Sequence, residues 1–270
     1  MTRVSASGAV HAHAGRSGEL WAGYLTQFHA HHPGITERVL TSAWRHDVGT
    51  PYAWLRSALP ASPGHVLDIA CGSAPLRSLL EGAKTYLGID RSHEELALAR
   101  ELGRGPVALA DATCLPIEDS SVDVVICSMA IMLLDPIDVA LAEVARVLRP
   151  GGTLATIRPV AWPVVPSDLM RGLTVVSGLR HLPEMPQRFG RSRFARMLAE
   201  AGLTVTADEG LRFGYPLEEP EHARLAVEAL YLPHVKAPRR ERAIARLARA
   251  ARPGAQLPVS IRRTIAVRAA

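Results

Sequence analysis

The stretch VLDIACGSAPL, residues 66–76, decides the fold of this chain. It is typical of a buried strand that runs into a tight turn of small residues and then opens a helix. Small side chains in such a turn let a ligand approach the backbone closely. A pyrophosphate-binding turn would need the pattern GxGxxG, and this turn has the single glycine Gly72. The stretch therefore favours a ligand other than a dinucleotide.

Short apolar runs alternate with amphipathic helices around this stretch, which indicates a parallel sheet covered on both faces. We expect strands at residues 65–70, 85–89, 107–110, 122–127 and 152–157. Helices are expected at residues 74–81, 92–102 and 136–148, the last one ended by Arg-Pro-Gly-Gly at 149–152. Farther along, we expect helices at 191–201, 220–230 and 239–251 and strands at 203–215 and 258–267.

The chain divides into a tail, a cap and one large domain. Residues 1–18 are rich in Gly, Ser, Ala and His without hydrophobic periodicity, and they are expected to be disordered. Residues 19–62 have helical periodicity and form a predicted N-terminal cap. Residues 63–270 form the predicted ligand-binding domain. Within it, residues 160–190 are a lid or insertion, and residues 218–252 are a helical insertion before the last strand.

Acidic residues follow successive predicted strands, at the edge where parallel strands end. Asp90 ends the second strand, eighteen residues after Gly72, where its carboxylate can accept hydrogen bonds from both hydroxyls of a ribose. Asp111 ends the third strand, and with the amide of Ala112 it could hold the edge of an adenine. An Asp at a strand end is also a common turn former. Its repetition after successive strands favours a ligand that contains adenosine.

Five motifs in order make the sequence resemble the class I methyltransferases that use S-adenosylmethionine (SAM), in the group that acts on small molecules and RNA. They are VLDIACGSA at 66–74, GID at 88–90, DATCLP at 111–116, VDVVICS at 122–128 and RPGG at 149–152. One departure is Ala74, where the family usually has a second glycine. The resemblance implies an α/β, Rossmann-like fold. Its seven-stranded, mostly parallel sheet would have helices on both faces, an N-terminal helical cap and an insertion after strand 5.

The resemblance also implies SAM as the cofactor, with S-adenosylhomocysteine as the product. Gly72 would lie beside the methionine part of SAM, and Asp68 would act near its amino group through backbone and water. Ser128 or Met129 would line the sulfonium. The complete set of predicted cofactor residues is Asp68, Ala70, Gly72, Ser73, Asp90, Arg91, Asp111, Ala112, Ser128, Met129 and Tyr24.

Methyl transfer from SAM is an in-line displacement that needs no metal, and the sequence offers no metal-ligand pattern. An oxygen or nitrogen acceptor requires a general base, and histidine is the usual base near neutral pH. The segment HAHH at 29–32 lies in the predicted cap, which often covers the cofactor in the resembled family. His29 and His32 are therefore the candidate catalytic residues, although most of the eleven histidines are expected to have packing or surface roles.

Three functions are open from the sequence. The apolar cap and the apolar residues of the 160–190 segment favour a small-molecule acceptor, such as a secondary metabolite, methylated at O, N or C. Residues 203–232 loosely resemble the tail of ribosomal RNA guanine methyltransferases, but residues 1–64 lack the cysteines of their zinc module. Ten basic residues against one acid in residues 236–270 are the remaining argument for RNA. A non-catalytic SAM-binding protein is the third alternative.

No apolar run approaches the roughly 20 residues that span a bilayer, and the N-terminus lacks the apolar core of a secretory signal. We therefore expect a soluble, cytoplasmic protein with no membrane partner. Cys71, Cys114 and Cys127 show no CxxC pairing and are expected to be reduced thiols. The sequence gives no indication of the oligomeric state.

Overall fold

A computed structural model describes residues 20–269 of this chain, so the tail predicted at residues 1–18 lies outside the described residues. The helices are α1 at residues 20–31, α2 Ile35–Ser42, α3 Pro51–Arg56, α4 His93–Glu101, α5 Ile137–Val147, α6 Pro166–Leu179, α7 Arg191–Glu200, α8 Pro220–Glu228 and α9 Ala237–Ala248. The strands are β1 His65–Ile69, β2 Thr85–Asp90, β3 Val107–Leu109, β4 Val122–Ser128, β5 Leu148–Pro159, β6 Leu203–Pro216 and β7 Gln256–Arg268.

The strands form one seven-stranded sheet in the order β3-β2-β1-β4-β5-β7-β6. Strands β1 to β5 run parallel, and β7 lies antiparallel between β5 and β6. This arrangement confirms the predicted Rossmann-like, mostly parallel sheet. The strand order reverses between β1 and β4, and open α/β sheets bind ligands beside the carboxyl ends of strands at such a switch point. The sheet therefore places the Gly72 turn at the edge where a ligand is expected.

Strand β4 lies at the centre of the sheet, and its side chains alternate between two hydrophobic clusters. Val124 and Ile126 belong to one cluster, and Val125 and Cys127 belong to the other. All four side chains are buried. A strand covered on both faces is apolar at every position, and full burial of an aliphatic side chain contributes about 1.5–3 kcal/mol. This packing explains the unbroken apolar run in the sequence, and it fixes the end of β4 at the ligand edge.

The prediction of a helix at residues 74–81 is wrong. The structure has instead a 3-10 turn at Arg77–Leu79, and Ala74 before it has a left-handed φ of 52°. The Arg77 amide donates a hydrogen bond to the carbonyl of Ala74 at 3.1 Å, which closes a tight turn. A residue with left-handed φ cannot belong to a right-handed helix. Ala74 thus adopts the conformation that glycine would adopt where the resembled family has its second glycine.

The cap consists of α1, α2 and α3. Helix α3 begins at Pro51 behind a capping residue, since the Thr50 hydroxyl accepts a hydrogen bond from the Ala53 amide at 3.1 Å. Glu37 on α2 accepts hydrogen bonds from the Ser73 hydroxyl at 2.6 Å and from the Arg104 guanidinium at 2.7 Å. The second helix of the cap is therefore tied directly to the turn that follows β1.

Both segments predicted as insertions contain helices. Helix α6 lies in the segment after β5, and α8 and α9 lie between β6 and β7. Helices α6 and α9 approach closely, since a Cβ added to Gly178 would lie 2.5 Å from the Cα of Ala243. Within residues 20–269, none of the helices has the length and apolar character needed to cross a membrane.

Candidate active site

A cavity of about 670 Å³ lies between the cap and the carboxyl edge of the sheet. Cavities of roughly 300–1,000 Å³ are usual for small-molecule ligands. Most of the predicted cofactor residues line it, namely Asp68, Ala70, Gly72, Ser73, Asp90, Arg91, Asp111, Ala112, Ser128 and Met129. The structure therefore brings four motifs that are separate in sequence into one cavity wall.

The carboxylate of Asp90 holds the turn after β1 against the end of β2. Its Oδ2 accepts a hydrogen bond from the Gly72 amide at 2.7 Å, and its Oδ1 accepts one from the Ser92 amide at 2.8 Å. Gly72 has a φ of 55°, which glycine adopts without steric cost. Burial raises the pKa of Asp90, and the two amide hydrogen bonds oppose that rise. Each carboxylate oxygen has a second lone pair, so Asp90 can still accept hydrogen bonds from ligand hydroxyls.

Asp111 forms a tight turn after β3. Its Oδ1 accepts hydrogen bonds from the Thr113 amide at 2.8 Å and the Thr113 hydroxyl at 2.7 Å, and its Oδ2 lies 3.5 Å from Nε of Arg91. Burial opposes ionisation of Asp111, but the Thr113 hydrogen bonds and Arg91 outweigh it and lower the pKa. Asp111 therefore stabilises its own turn and also contributes a negative charge to the cavity wall.

Two buried polar atoms of cavity residues, Asp68 Oδ1 and Ser128 Oγ, have no hydrogen-bond partner in the part of the chain that the structure describes. Asp68 is 1% exposed, and its Oδ2 accepts a hydrogen bond from the Tyr86 hydroxyl at 3.0 Å. Burial raises the pKa of Asp68 to about 7, the Tyr86 hydrogen bond opposes this rise, and the nearby charge of Asp90 adds to it. Buried polar atoms are normally paired, so we expect these two atoms to meet a ligand or water.

The raised pKa of Asp68 predicts a pH-dependent stability of the ligand-free protein. Between about pH 4 and about pH 7, the folded chain keeps a proton on Asp68 that the unfolded chain has released. The contribution of Asp68 to the free energy of unfolding therefore falls as the pH rises through this window. Asp68→Asn removes this pH-dependent loss. The Tm difference between Asp68→Asn and the wild type should therefore be several degrees larger at about pH 8 than at about pH 5, because about 1 kcal/mol shifts the Tm of a chain of this size by about 2–4 °C.

Asp111→Asn is the matched control. The pKa of Asp111 is lowered in the folded chain, so the pH dependence of its contribution to the free energy of unfolding has the opposite sign. Its carboxylate stabilises the fold above its unfolded pKa, and this contribution is lost as the pH falls. Differential scanning fluorimetry of both variants and the wild type from about pH 3 to about pH 8 measures both effects, the loss for Asp111 falling below about pH 4 and the loss for Asp68 between about pH 4 and about pH 7. A Tm difference between Asp68→Asn and the wild type that is constant with pH would contradict the assigned titration.

His29 on α1 is the predicted catalytic residue that lines the cavity. Its Nδ1 lies 2.9 Å from Oε1 of Glu95, which is on α4 and only 3% exposed. The other Glu95 oxygen accepts a hydrogen bond from the Gly34 amide at 3.0 Å. Because a carboxylate can only accept, Nδ1 carries the hydrogen of this bond, and in the neutral imidazole Nε2 is left as an acceptor. The Tyr231 hydroxyl lies 3.4 Å from that Nε2.

Two predicted site residues, Tyr24 and His32, do not line the cavity. Residues 21, 25 and 29 share the stripe of α1 that faces the cavity, because residues four apart lie on one side of a helix. Tyr24 lies on the neighbouring stripe and His32 directly follows the last residue of α1, and both rings pack against Phe28. The Tyr24 hydroxyl accepts a hydrogen bond from the Leu232 amide at 2.8 Å. This stripe thus serves packing of the cap.

Glu37, Glu95 and Tyr231 are among the residues of the cavity wall that sequence reasoning missed. The pattern S-x-x-E at residues 92–95 marks a helix start, and the Ser92 hydroxyl does accept a hydrogen bond from the Glu95 amide at 3.2 Å. That signal locates Glu95 on α4 but does not show its contact with His29. Glu37 and Tyr231 have no local signal, since each meets the cavity only through the packing of distant elements.

Acidic side chains outnumber basic ones in the cavity wall. The acids are Glu37, Asp68, Asp90, Glu95, Asp111 and Asp135. Among the described residues that line the cavity, Arg91 and His29 are the basic ones. Glu37 is paired with Arg104, and the pKa of Asp68 is raised to about 7, but the remaining acids still outnumber the basic side chains, so the wall attracts cationic groups and repels phosphates.

Comparison with known proteins identifies relatives of this sequence. Residues 67–156 match the family described as Methyltransferase domain. The chain is 31% identical over 178 residues to the ubiquinone/menaquinone biosynthesis C-methyltransferase UbiE of Rubrivivax gelatinosus. This match covers 60% of this chain and 71% of that protein. It is 30% identical over 162 residues to the malonyl-[acyl-carrier protein] O-methyltransferase of Methylococcus capsulatus, and this match covers 57% of this chain and 58% of that protein.

A solved structure supports the same fold. The crystal structure of the [4+2]-cyclase SpnF superposes with a TM-score of 0.59 at 19% sequence identity, covering 91% of this chain and 96% of that chain. At this identity the likeness shows the fold alone. The match with the Methylococcus enzyme spans less than two thirds of its length, so its substrate is not carried over to this chain.

Proposed function

This chain belongs to the class I SAM-dependent methyltransferases, and we propose that it methylates a small molecule whose reacting group loses a proton to His29. The observation that carries the proposal is the His29–Glu95 pair, which faces a cavity already bordered by the cofactor motifs. One relative is named a C-methyltransferase and another an O-methyltransferase. A base at this position suits either acceptor, provided that the reacting oxygen or carbon is activated by loss of a proton.

The residues present fit SAM, which carries a positive sulfonium and a positive ammonium. The acidic wall suits a ligand of this charge, and the unpaired Asp68 Oδ1 and Ser128 Oγ are buried acceptors beside it. We propose that Asp90 holds the ribose, that Asp111 and Ala112 lie at the adenine, and that Asp68 acts near the ammonium. Ser128 and Met129, at the end of β4, would line the sulfonium.

When bound, SAM would supply an electrophilic methyl group, and the electron pair of the broken bond would stay with its sulfur. The acceptor would form its new bond to the methyl group with an electron pair, either a lone pair of oxygen or the pair released on carbon by loss of a proton, and that proton would move to Nε2 of His29. Glu95 then stabilises the positive imidazolium through the hydrogen bond to Nδ1, as a buried carboxylate does in related acid–base pairs. The remaining task of the cavity is to position the acceptor and to exclude water.

The charge and shape of the cavity support a small molecule over RNA. The acids of the wall would repel an RNA backbone, and the basic residues of α9 do not line the cavity. Apolar side chains complete the wall and would suit a hydrophobic acceptor, namely Trp21, Leu25, Leu133, Leu134, Pro136 and Pro186. Of the predicted lid at residues 160–190, only Pro186 takes part in this lining.

An acceptor screen with methyl-labelled SAM tests the proposal. The purified chain is incubated with a panel of phenols, hydroquinones, carboxylic acids and amines and, separately, with total bacterial RNA. We expect label in extractable small products and none in RNA, together with formation of S-adenosylhomocysteine. Label in RNA, or label in no panel member from protein shown by calorimetry to bind SAM, would contradict the proposed acceptor class.

A further inference from the structure

Exposed apolar side chains concentrate in one segment of the described chain, which includes α6. Isolated exposed apolar residues are normal on protein surfaces, but a contiguous group marks an interaction site. Half of the exposed large hydrophobic residues between 20 and 269 lie in this segment of about twenty residues. They are Trp162, Val165, Leu169, Met170, Leu173 and Leu182.

The opposite side of α6 is firmly attached to the body of the protein. Asp168 is 2% exposed and accepts two hydrogen bonds from the guanidinium of Arg212, at 2.6 and 2.7 Å. Leu179 is fully buried, and Gly178 lies against α9. Helix α6 therefore presents Met170 and Leu173 to solvent from a fixed position.

A row of arginines on α9 continues this apolar face. Arg239, Arg242, Arg246 and Arg249 are all exposed, and their spacing of three and four residues places them on one side of the helix. The Arg246 guanidinium donates a hydrogen bond to the Ser177 hydroxyl of α6 at 3.0 Å. Ser177 follows Leu173 by four residues, so it lies on the apolar stripe of α6. The single acid of α9, Glu241, is bound to Arg224 of α8.

We propose that this apolar–basic surface, formed by the six exposed apolar residues and the four arginines, docks the enzyme on an anionic lipid membrane. The apolar side chains would enter the headgroup boundary, where Trp162 has a preferred environment, and the arginines would pair with lipid phosphates. A second copy of the chain would bring a like-charged row to the interface. RNA would use the arginines but would leave the apolar side chains in water. Anionic lipid complements both halves.

Vesicle co-sedimentation of the full chain tests this surface. One set of vesicles is pure phosphatidylcholine, and the other contains about 30% phosphatidylglycerol, so that roughly a third of its lipids are anionic. We expect binding to the anionic vesicles at low salt, weak binding to the neutral ones, and a marked loss of binding at high salt. Replacing Arg239, Arg242 and Arg249 by Gln should weaken binding about 100-fold, at about fivefold for each charge.

A second variant tests the apolar half, with Leu169, Met170 and Leu173 replaced by Gln. It should lose vesicle binding while the affinity for S-adenosylhomocysteine is unchanged, because none of these residues lines the cavity. The matched controls are Arg193→Gln with Arg196→Gln on α7, and Leu109→Gln with Val139→Gln, all at exposed positions elsewhere.

Three results would overturn the proposal. The first is no binding to anionic vesicles at low salt, and the second is equal loss of binding in the control variants. The third is that the apolar face is used by another partner. Sedimentation velocity that shows a dimer lost in the Leu169, Met170 and Leu173 variant would assign the face to a second copy. A gel shift with RNA that depends on the arginines but not on the apolar residues would assign the row to RNA.

Discussion

Replacing His29 by Gln is expected to lower kcat by about 10²- to 10⁴-fold, the contribution typical of a general base. Gln keeps a polar side chain of similar reach but cannot accept the proton. Because none of the proposed cofactor contacts involves His29, the affinity for S-adenosylhomocysteine should change little. The rate is measured with an acceptor from the labelled-SAM screen, and cofactor affinity is measured by calorimetry on the same protein.

The chain offers two matched controls on the same helix segment. His31 is exposed and its ring contacts the carbonyl of Gln27, and His32 lies outside the cavity, so His31→Gln and His32→Gln should retain activity. Glu95→Gln should lower kcat less than His29→Gln and should also alter the pH profile, because it removes the charge that favours the imidazolium. A folded His29→Gln enzyme with wild-type kcat and pH profile would exclude His29 as the base.

Replacing Asp90 by Ala is expected to weaken binding of both SAM and S-adenosylhomocysteine by about 100-fold or more. Hydrogen bonds to a charged group contribute about 1.5–3 kcal/mol each, and the proposed ribose contact contains two of them. The substitution also removes the acceptor of the Gly72 and Ser92 amides, so the turn after β1 loses its attachment. Isothermal titration calorimetry with S-adenosylhomocysteine gives the affinity without requiring turnover.

Asp90→Asn separates loss of the ribose contact from collapse of the turn. Its amide oxygen can still accept one of the two backbone hydrogen bonds, while its amino group faces the other donor. We expect intermediate affinity from this variant and a Tm closer to that of the wild type. Glu94→Ala, an exposed carboxylate of the same loop and helix start, should bind normally. Unchanged affinity in a folded Asp90→Ala protein would rule out the ribose assignment.

Strands whose two faces are both buried could be predicted from the sequence. The apolar run of β4 and the strand ends at Gly72, Asp90 and Asp111 depend on local patterns, and the structure places them together at one edge. The helix predicted after β1 failed because it depends on the backbone conformation of Ala74. Its φ of 52° is set by the tight turn and not by any preference of alanine.

The acid–base part of the site could be predicted only in part. His29 was a candidate because histidine is a suitable base, but choosing between His29 and His32 required the orientation of α1. The partner Glu95 is 66 residues away in sequence and Tyr231 is 202 residues away, so their contacts arise only when the cap closes on α4 and the α8–α9 region. Periodicity indicates which residues share a helix face but not what that face meets.

If His29 is the base, as proposed, Glu95 couples proton removal to closure of the cap. One of its oxygens orients His29, and the other accepts the hydrogen bond from Gly34 at the start of α2. A movement that lifted both helices away from α4 to admit an acceptor or release a product would break both hydrogen bonds. The imidazole would then lose its orientation as bulk water enters. Chemistry would thus be confined to the interval in which the reactants are shielded.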